Sequence, residues 1–159
     1  MAGIEKMDDS SASSVNGRVL VMDDEFGIRD VVGSLLQMGG YEVSCVENGE
    51  QALDALTAAI ASGWRFDTIL MDLQVNMGAG GLEIIDAVRE IDPDINAIVT
   101  SGNLVCSEEQ DLATDYLSYG FDNALTKPFD FTELLAMVAG GCRPKGGSRE
   151  SDQIEKSVG

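Results

Sequence analysis

Val19-Leu20-Val21-Met22-Asp23-Asp24 decides the fold class, because it is a short apolar run that ends in two adjacent carboxylates. Three later runs have the same form and end in Asp72, Ser101 and Lys127. Short apolar runs that alternate with helical patterns indicate buried parallel strands. Ligands of an open α/β sheet bind just outside the carboxyl ends of such strands. These polar side chains are therefore expected to converge, and together they suit a divalent cation and a phosphoryl group.

Five strand patterns alternate with five helix patterns along the chain. Strands are predicted over 18–22, 41–46, 68–73, 95–100 and 123–126. Helices are predicted over about 25–38, 51–61, about 82–91, within 108–119, and 131–139. Apolar residues at helical spacing predict the buried faces of the first two helices, namely Ile28, Val31, Val32, Leu35 and Leu36, then Leu53, Leu56 and Ile60. The alternation predicts an α/β fold, a doubly wound five-stranded parallel sheet with five helices and right-handed crossovers.

Length and composition favour one acidic domain. The 159 residues, 44% of them apolar, suffice for one core. Segments 1–17 and 143–159 have no apolar period and are expected to be disordered tails around a domain at 18–142. The chain shows no signal peptide and no membrane-length apolar run, so we expect a cytoplasmic protein with no membrane partner. A net charge of −18 opposes nucleic-acid binding, because the phosphate backbone would repel the domain.

Histidine is absent from the chain, and the cysteines form no motif. The absence of histidine excludes Ser-His-Asp and Cys-His catalysis and His-ligated metal sites. It also limits any role in histidine-based phosphotransfer to that of acceptor. Cys45, Cys106 and Cys142 have neither metal nor CxxC spacing, so we expect reduced thiols that act as packing residues.

Asp23, Asp24 and Asp72 are candidate ligands for a hard cation. Magnesium prefers oxygen ligands and is commonly held by one or two carboxylates plus phosphate oxygens. A purely structural role is the alternative, since Asp is common at helix caps and loop starts. Ser101 and Lys127 at two further strand ends favour the site, and Lys127 is the only lysine in 18–142.

Four motifs in order resemble the receiver domain of two-component response regulators, over roughly 18–138. They are Val21-Met22-Asp23-Asp24-Glu25, Leu70-Met71-Asp72-Leu73, Val99-Thr100-Ser101-Gly102 and Thr126-Lys127-Pro128-Phe129. The resemblance extends to the receivers of hybrid sensor kinases and to single-domain chemotaxis-type regulators. It implies a flavodoxin-like fold with strand order 2-1-3-4-5.

The resemblance also implies a role for each matched residue. Asp72 would be the phosphoacceptor and would ligate Mg²⁺ directly together with Asp24. Asp23 would bind the cation through water, and the backbone carbonyl of Gln74 would complete the protein ligands. Ser101 and Lys127 would each contact a phosphoryl oxygen, and the bond from Lys127 to Pro128 is usually cis in the family.

The implied function is that of a phosphoacceptor in a two-component phosphorelay. A sensor histidine kinase or a histidine phosphotransfer protein would supply the phosphoryl group, and an unidentified downstream protein would read it. On this interpretation the protein is a signalling switch that assists its own phosphorylation, not an enzyme with turnover.

Three alternatives share parts of the pattern. A flavodoxin-type cofactor protein needs a phosphate loop after the first strand, where Asp23-Asp24-Glu25 stands instead. A Mg-dependent phosphatase of haloacid-dehalogenase type needs a second Asp two residues after the nucleophile, and that position is Gln74. The third is a receiver-like scaffold that is not phosphorylated.

The chain also departs from the usual receiver pattern at three places. Asn76 replaces a common proline, Ala124 replaces a common aromatic residue, and the segment around 106–111 is longer than usual.

Overall fold

A five-stranded parallel sheet forms the centre of the protein, in a computed structural model that describes residues 15–73, 75, 78–102, 105–107 and 110–140. The strands are β1 (Gly17–Met22), β2 (Tyr41–Val46), β3 (Thr68–Asp72), β4 (Asn96–Ser101) and β5 (Asn123–Thr126). The helices are α1 (Phe26–Met38), α2 (Gly49–Ala61), α3 (Gly81–Ile91), α4 (Leu112–Tyr119) and α5 (Phe131–Gly140). Apart from 15–17, the tails predicted at 1–17 and 143–159 lie outside the described residues.

The strands follow the order β2-β1-β3-β4-β5, and all neighbouring pairs are parallel. This confirms the predicted flavodoxin-like topology. Because the strands are parallel, their carboxyl ends lie along one edge of the sheet. The register there pairs Met22 with Met71 and Asp72 with Thr100, so the ends of β1, β3 and β4 are level.

The core has two layers, one on each face of the sheet, since alternate strand residues point to opposite faces. On the face covered by α2, α3 and α4, the buried helix residues are Ala52, Leu56, Ala59, Ile84, Ile85 and Val88. On the face covered by α1 and α5, they are Val32, Leu36, Leu134 and Val138. Both faces of the inner strands β1, β3 and β4 are largely buried, which explains their apolar sequences. The edge strand β2 is mostly exposed or partly buried and carries Glu42 and Ser44 among its apolar residues.

The packing faces of two helices differ in detail from the sequence prediction. Val31 was placed on the buried face of α1 but is 56% exposed, because the helix packs through Val32, Gly33 and Leu36. On α2 the buried residues are Ala52, Leu56 and Ala59, and the predicted Leu53 and Ile60 are only partly buried. The contacts combine one leucine on each helix with small residues such as Gly33, Ala52 and Ala59.

Element ends also shift by one or two residues. Helix α2 begins at Gly49 and not at residue 51, because the Asn48 side chain caps the helix by accepting a hydrogen bond from the Gln51 amide at 3.0 Å. The extra length between β4 and α4 contains a small antiparallel hairpin, Val105–Ser107 with Gln110–Asp111, which the sequence pattern did not predict.

The structure also bears on the expectations for the cysteines and for membrane-spanning helices. Cys45 is a free thiol, as predicted, but its side chain is exposed at the edge strand β2 and is not a core residue. Among the described residues, no helix has the length and apolarity needed to cross a membrane.

Candidate functional site

The predicted site residues lie at one edge of the sheet, directly after or at the ends of four strands. Asp23 and Asp24 follow β1, Asp72 ends β3, Ser101 ends β4, and Lys127 follows β5. Gln74, the predicted carbonyl ligand, lies outside the described residues. Backbone hydrogen bonds connect the strand ends at this edge. The Lys127 amide donates to the Ser101 carbonyl at 2.8 Å, and the Leu73 amide donates to the Thr100 carbonyl at 2.8 Å.

Three carboxylates form the centre of the site. One carboxylate oxygen from each of Asp23, Asp24 and Asp72 lies within 4.8 Å of the other two. Asp23 is 2% exposed and Asp72 is 9% exposed, whereas Asp24 is only half-buried. Like charges at this separation destabilise one another unless a cation offsets them.

The Lys127 ammonium supplies part of that positive charge. Its Nζ lies 2.7 Å from Asp23 Oδ2 and 3.7 Å from Asp72 Oδ1. Burial lowers the pKa of Lys127, but the hydrogen bond to Asp23 and the charge of Asp72 outweigh it, so its pKa lies above the ordinary value. The lysine is therefore charged at neutral pH. The bond from Lys127 to Pro128 is cis.

Asp72 is the carboxyl group that the site perturbs most clearly. Burial is the largest cause and the Asp23 carboxylate the second, and together they raise the pKa of Asp72 from 3.8 to about 6. Lys127 acts in the opposite direction, and Asp24 adds to the rise. A strand-end carboxylate that is costly to ionise has the most to gain from a nearby cation.

Asp23 is held in place by several partners that the sequence analysis did not identify. Its Oδ1 accepts a hydrogen bond from the Glu25 amide at 3.0 Å, and its Oδ2 accepts the Lys127 bond. Its backbone carbonyl accepts a hydrogen bond from Arg29 Nη1 at 2.8 Å. The contact of Arg29 with Asp23 could have been suspected from the sequence, because Arg29 is one of few basic residues in an acidic domain and lies in the first turn of α1.

The donor set fits magnesium. Three clustered carboxylates with one ammonium keep an excess of negative charge, and carboxylate oxygens are the ligands that this cation prefers. Asp23, Asp24 and Asp72 would hold a divalent cation, which together with the Lys127 ammonium would offset the charge of a phosphoryl group at the site.

Known proteins resemble this chain in sequence and architecture. The family model described as "Response regulator receiver domain" matches residues 19–139. Sporulation initiation phosphotransferase F of Bacillus subtilis is 30% identical over 124 residues, which are 78% of this chain and 92% of that protein. The phosphate regulon transcriptional regulatory protein PhoB of Pseudomonas aeruginosa is 32% identical over 143 residues, which are 89% of this chain but 58% of PhoB. The chain thus spans little more than half the length of PhoB.

A solved structure agrees with both the fold and the family. The response regulator protein TrrA of Thermotoga maritima, solved in complex with Mg²⁺ and BeF, superposes with a TM-score of 0.62. It is 31% identical and covers 78% of this chain and 97% of its own. The family model, the relatives and the acidic strand-end site agree: the chain belongs to the response regulator receiver domains, which are signalling domains and not classical enzymes.

Proposed function

We propose that the protein is the phosphoacceptor of a two-component phosphorelay, in which Mg²⁺-dependent phosphorylation of Asp72 switches protein-protein contacts. The observation that carries this proposal is the surroundings of Asp72. It ends a central strand beside two further carboxylates, with the Lys127 ammonium 3.7 Å from its Oδ1. A nucleophilic carboxylate, a metal-binding cluster and a fixed positive charge are the parts that phosphoryl transfer to an aspartate requires.

Asp72 is the nucleophile in this mechanism. A carboxylate oxygen of Asp72 forms a bond to the phosphorus of the donor, and the bond from phosphorus to the donor's imidazole nitrogen breaks. With a small acyl phosphate as donor, the bond from phosphorus to the acyl oxygen breaks instead. Because Asp72 must be ionised to attack, the positive charge of Lys127, which lowers the pKa of Asp72, favours the reactive form.

Lys127 and Ser101 are assigned to the phosphoryl oxygens. Lys127 is buried enough to hold its ammonium at a fixed place, and its amide is tied to the Ser101 carbonyl at 2.8 Å. This hydrogen bond fixes the backbones of the two residues relative to each other at the ends of β4 and β5. Fixed donors of this kind stabilise charge as it develops on the equatorial oxygens in the transition state.

Asp24 and Asp72 are the proposed direct ligands of Mg²⁺, with Asp23 acting through water. Both carboxylate oxygens of Asp23 already accept hydrogen bonds from protein donors, Glu25 and Lys127, which favours an indirect role for Asp23. When bound, the cation would neutralise the carboxylates and the incoming phosphoryl oxygens. The carbonyl of Gln74 is proposed as a further ligand from the family pattern alone.

The proposed partners follow from the chemistry of the chain. With no histidine the chain cannot be the phosphohistidine donor, and the proposed protein donor is a sensor histidine kinase or a histidine phosphotransfer protein. The similarity to a phosphotransferase of Bacillus subtilis supports this place in a relay. The acidic composition supports a protein, and not a nucleic acid, as the downstream partner.

Labelling with a phosphoryl donor tests the proposal. Incubation with acetyl phosphate and Mg²⁺ should add one phosphoryl group to the protein, measured by intact mass, and neither EDTA-treated protein nor Asp72→Asn should gain it. Asp54→Asn, on the exposed side of α2, is the matched control and should be labelled like the wild type. Normal labelling of Asp72→Asn would refute the assignment, and an unlabelled wild type would support the receiver-like scaffold instead.

A further inference from the structure

The loop that follows Asp72 is bonded to a different element of the fold, the first turn of α2. The Gly49 amide donates a hydrogen bond to the Ala79 carbonyl at 2.7 Å. The Ala79 amide in turn donates to Glu50 Oε1 at 3.3 Å. Both the amide and the carbonyl of Ala79 are thus bonded to residues of α2, so a helix that carries no site residue holds this part of the loop.

Glycines on both sides of this contact are required for the close approach. A Cβ atom on Gly49 would lie 2.5 Å from Ile84 Cγ2 and 2.8 Å from the Ala79 carbonyl oxygen. Gly78 has a φ of +97°, and a Cβ there would lie 2.9 Å from the Cβ of Asn48. Atoms that are not bonded to each other do not approach so closely, so a larger residue at either position would push the loop away from α2.

The same loop is packed tightly where it leaves and rejoins the site. A Cβ on Gly81 would lie 3.0 Å from the carbonyl oxygen of Asp72 and 3.0 Å from Met71 Cβ. At the other end, the Leu73 amide is bonded to β4 through Thr100. Close-packed contacts transmit displacement, so a shift of residues 78–80 would reach the backbone of Asp72.

From these contacts we infer that Gly49, Glu50 and Gly78 are positioning residues, which dock the loop after Asp72 onto α2 and thereby set the affinity of the site for its cation. The inference deepens the proposed function and rests on it. Asn48 contributes twice, since its side chain caps α2 and its Cβ forms the surface against which Gly78 packs. Outer contacts that orient metal ligands commonly change metal affinity by ten- to a hundredfold when they are removed.

A pair of glycine variants separates positioning from general strain. Gly78→Ala introduces a side chain at a φ of +97° and against Asn48, whereas Gly63→Ala introduces the same strain at a φ of +90° with no atom within 4 Å. Gly63 follows α2 at the opposite edge of the sheet. In titrations of the full chain with Mg²⁺ alone, followed by calorimetry, Gly78→Ala should weaken binding roughly tenfold. Gly63→Ala should leave the dissociation constant unchanged, although both variants should lose stability in EDTA.

Two measurements complete the test. Glu50→Ala should weaken Mg²⁺ binding about threefold, and Glu50→Gln should restore it because the amide oxygen can still accept the bond from Ala79. In metal-free protein, Gly78→Ala and not Gly63→Ala should shift the NMR signal of the Leu73 amide.

Three results would decide against parts of the scheme. Equal Mg²⁺ affinity in Gly78→Ala and wild type would overturn the inference while leaving the proposed function intact. Equal weakening by Gly63→Ala would overturn it too, since strain alone would then explain the loss. A wild type that binds Mg²⁺ but takes no phosphoryl group would overturn the proposed function. The Mg²⁺ affinities of Gly78→Ala and Gly63→Ala would then still show whether the docked loop positions the cation site.

Discussion

Replacing Asp72 with Asn should stabilise the metal-free protein at neutral pH. The ionised Asp72 carboxylate is buried beside Asp23, and its pKa is raised from 3.8 to about 6. Each unit of pKa difference between folded and unfolded states corresponds to about 1.4 kcal/mol, so the full shift corresponds to about 3 kcal/mol. The Asp72 side chain retains 12% of its exposure and Asp24 is half-buried beside it, so solvent screens part of the repulsion. We expect Asp72→Asn to raise the free energy of unfolding by about 1–2 kcal/mol at pH 7.

The direction of the pKa shift of Asp72 determines how the stability gained by Asp72→Asn should change with pH. Because the pKa of Asp72 is higher in the folded state, the folded state holds the proton more tightly than the unfolded chain does. The resulting stability is fully present below pH 3.8 and is lost as the pH rises through about 6. The gain from Asp72→Asn should therefore be near zero at pH 4 and complete by about pH 7.

Urea denaturation in EDTA at a series of pH values measures the effect. Asp54→Asn, on the exposed side of α2, is the control and should change stability by less than about 0.5 kcal/mol throughout. Excess Mg²⁺ should stabilise the wild type strongly and Asp72→Asn weakly, because binding to the folded state alone raises its stability. If Asp72→Asn is less stable than the wild type at pH 7 in EDTA, the argument from the burial of Asp72 and its repulsion by Asp23 is wrong.

Further predictions concern the separate parts of the site. Asp24→Ala should weaken Mg²⁺ binding in calorimetry more than Asp23→Ala, because direct coordination outweighs a contact through water; the reverse order would exchange their roles. Lys127→Met should slow labelling by acetyl phosphate at least about tenfold while Mg²⁺ binding persists, and unchanged labelling would remove Lys127 from the mechanism. Ala124→Tyr should leave the rate of phosphorylation unchanged, because a residue partly packed in the core behind the site touches no reacting group; a marked loss would contradict this. A gel-shift assay with duplex DNA should show no salt-sensitive binding by this chain.

The strands and the site were predictable because each depends on local pattern. Each of the four strands that carry the site contains an apolar run that ends in a polar site residue, and a parallel sheet brings the ends of such runs to one edge without further information. Asp72 and Lys127 are far apart in the sequence, yet each needed only its own strand to be recognised. The helical periodicity of α1 did not predict the exposure of Val31. Such a pattern shows which residues form an apolar stripe, but not how much of that stripe the neighbouring elements cover.

Long-range choices were not predictable from the pattern. Lys127 takes Asp23 as its nearer partner, and the sequence gives no means of ranking Asp23 above Asp72. The docking of Ala79 on Gly49 is a contact between a loop and the first turn of α2, and the glycines of the two segments, taken one at a time, indicate only turns. The role of these glycines appears only when the two segments are brought together.

The charges of the site require an order of events. Three carboxylates and one ammonium leave two negative charges in a largely buried space. A phosphoryl group on Asp72 would add a further negative charge, which Lys127 alone cannot offset because it already shares its proton donors between Asp23 and Asp72. A divalent cation would balance the two negative charges of the unphosphorylated site, and only then would the added phosphoryl charge be tolerable. The burial and repulsion that make metal-free Asp72 costly to ionise are thus the reason why phosphorylation should wait for the cation. If the loop after Asp72 sets the cation affinity, as we propose, it would also influence phosphorylation.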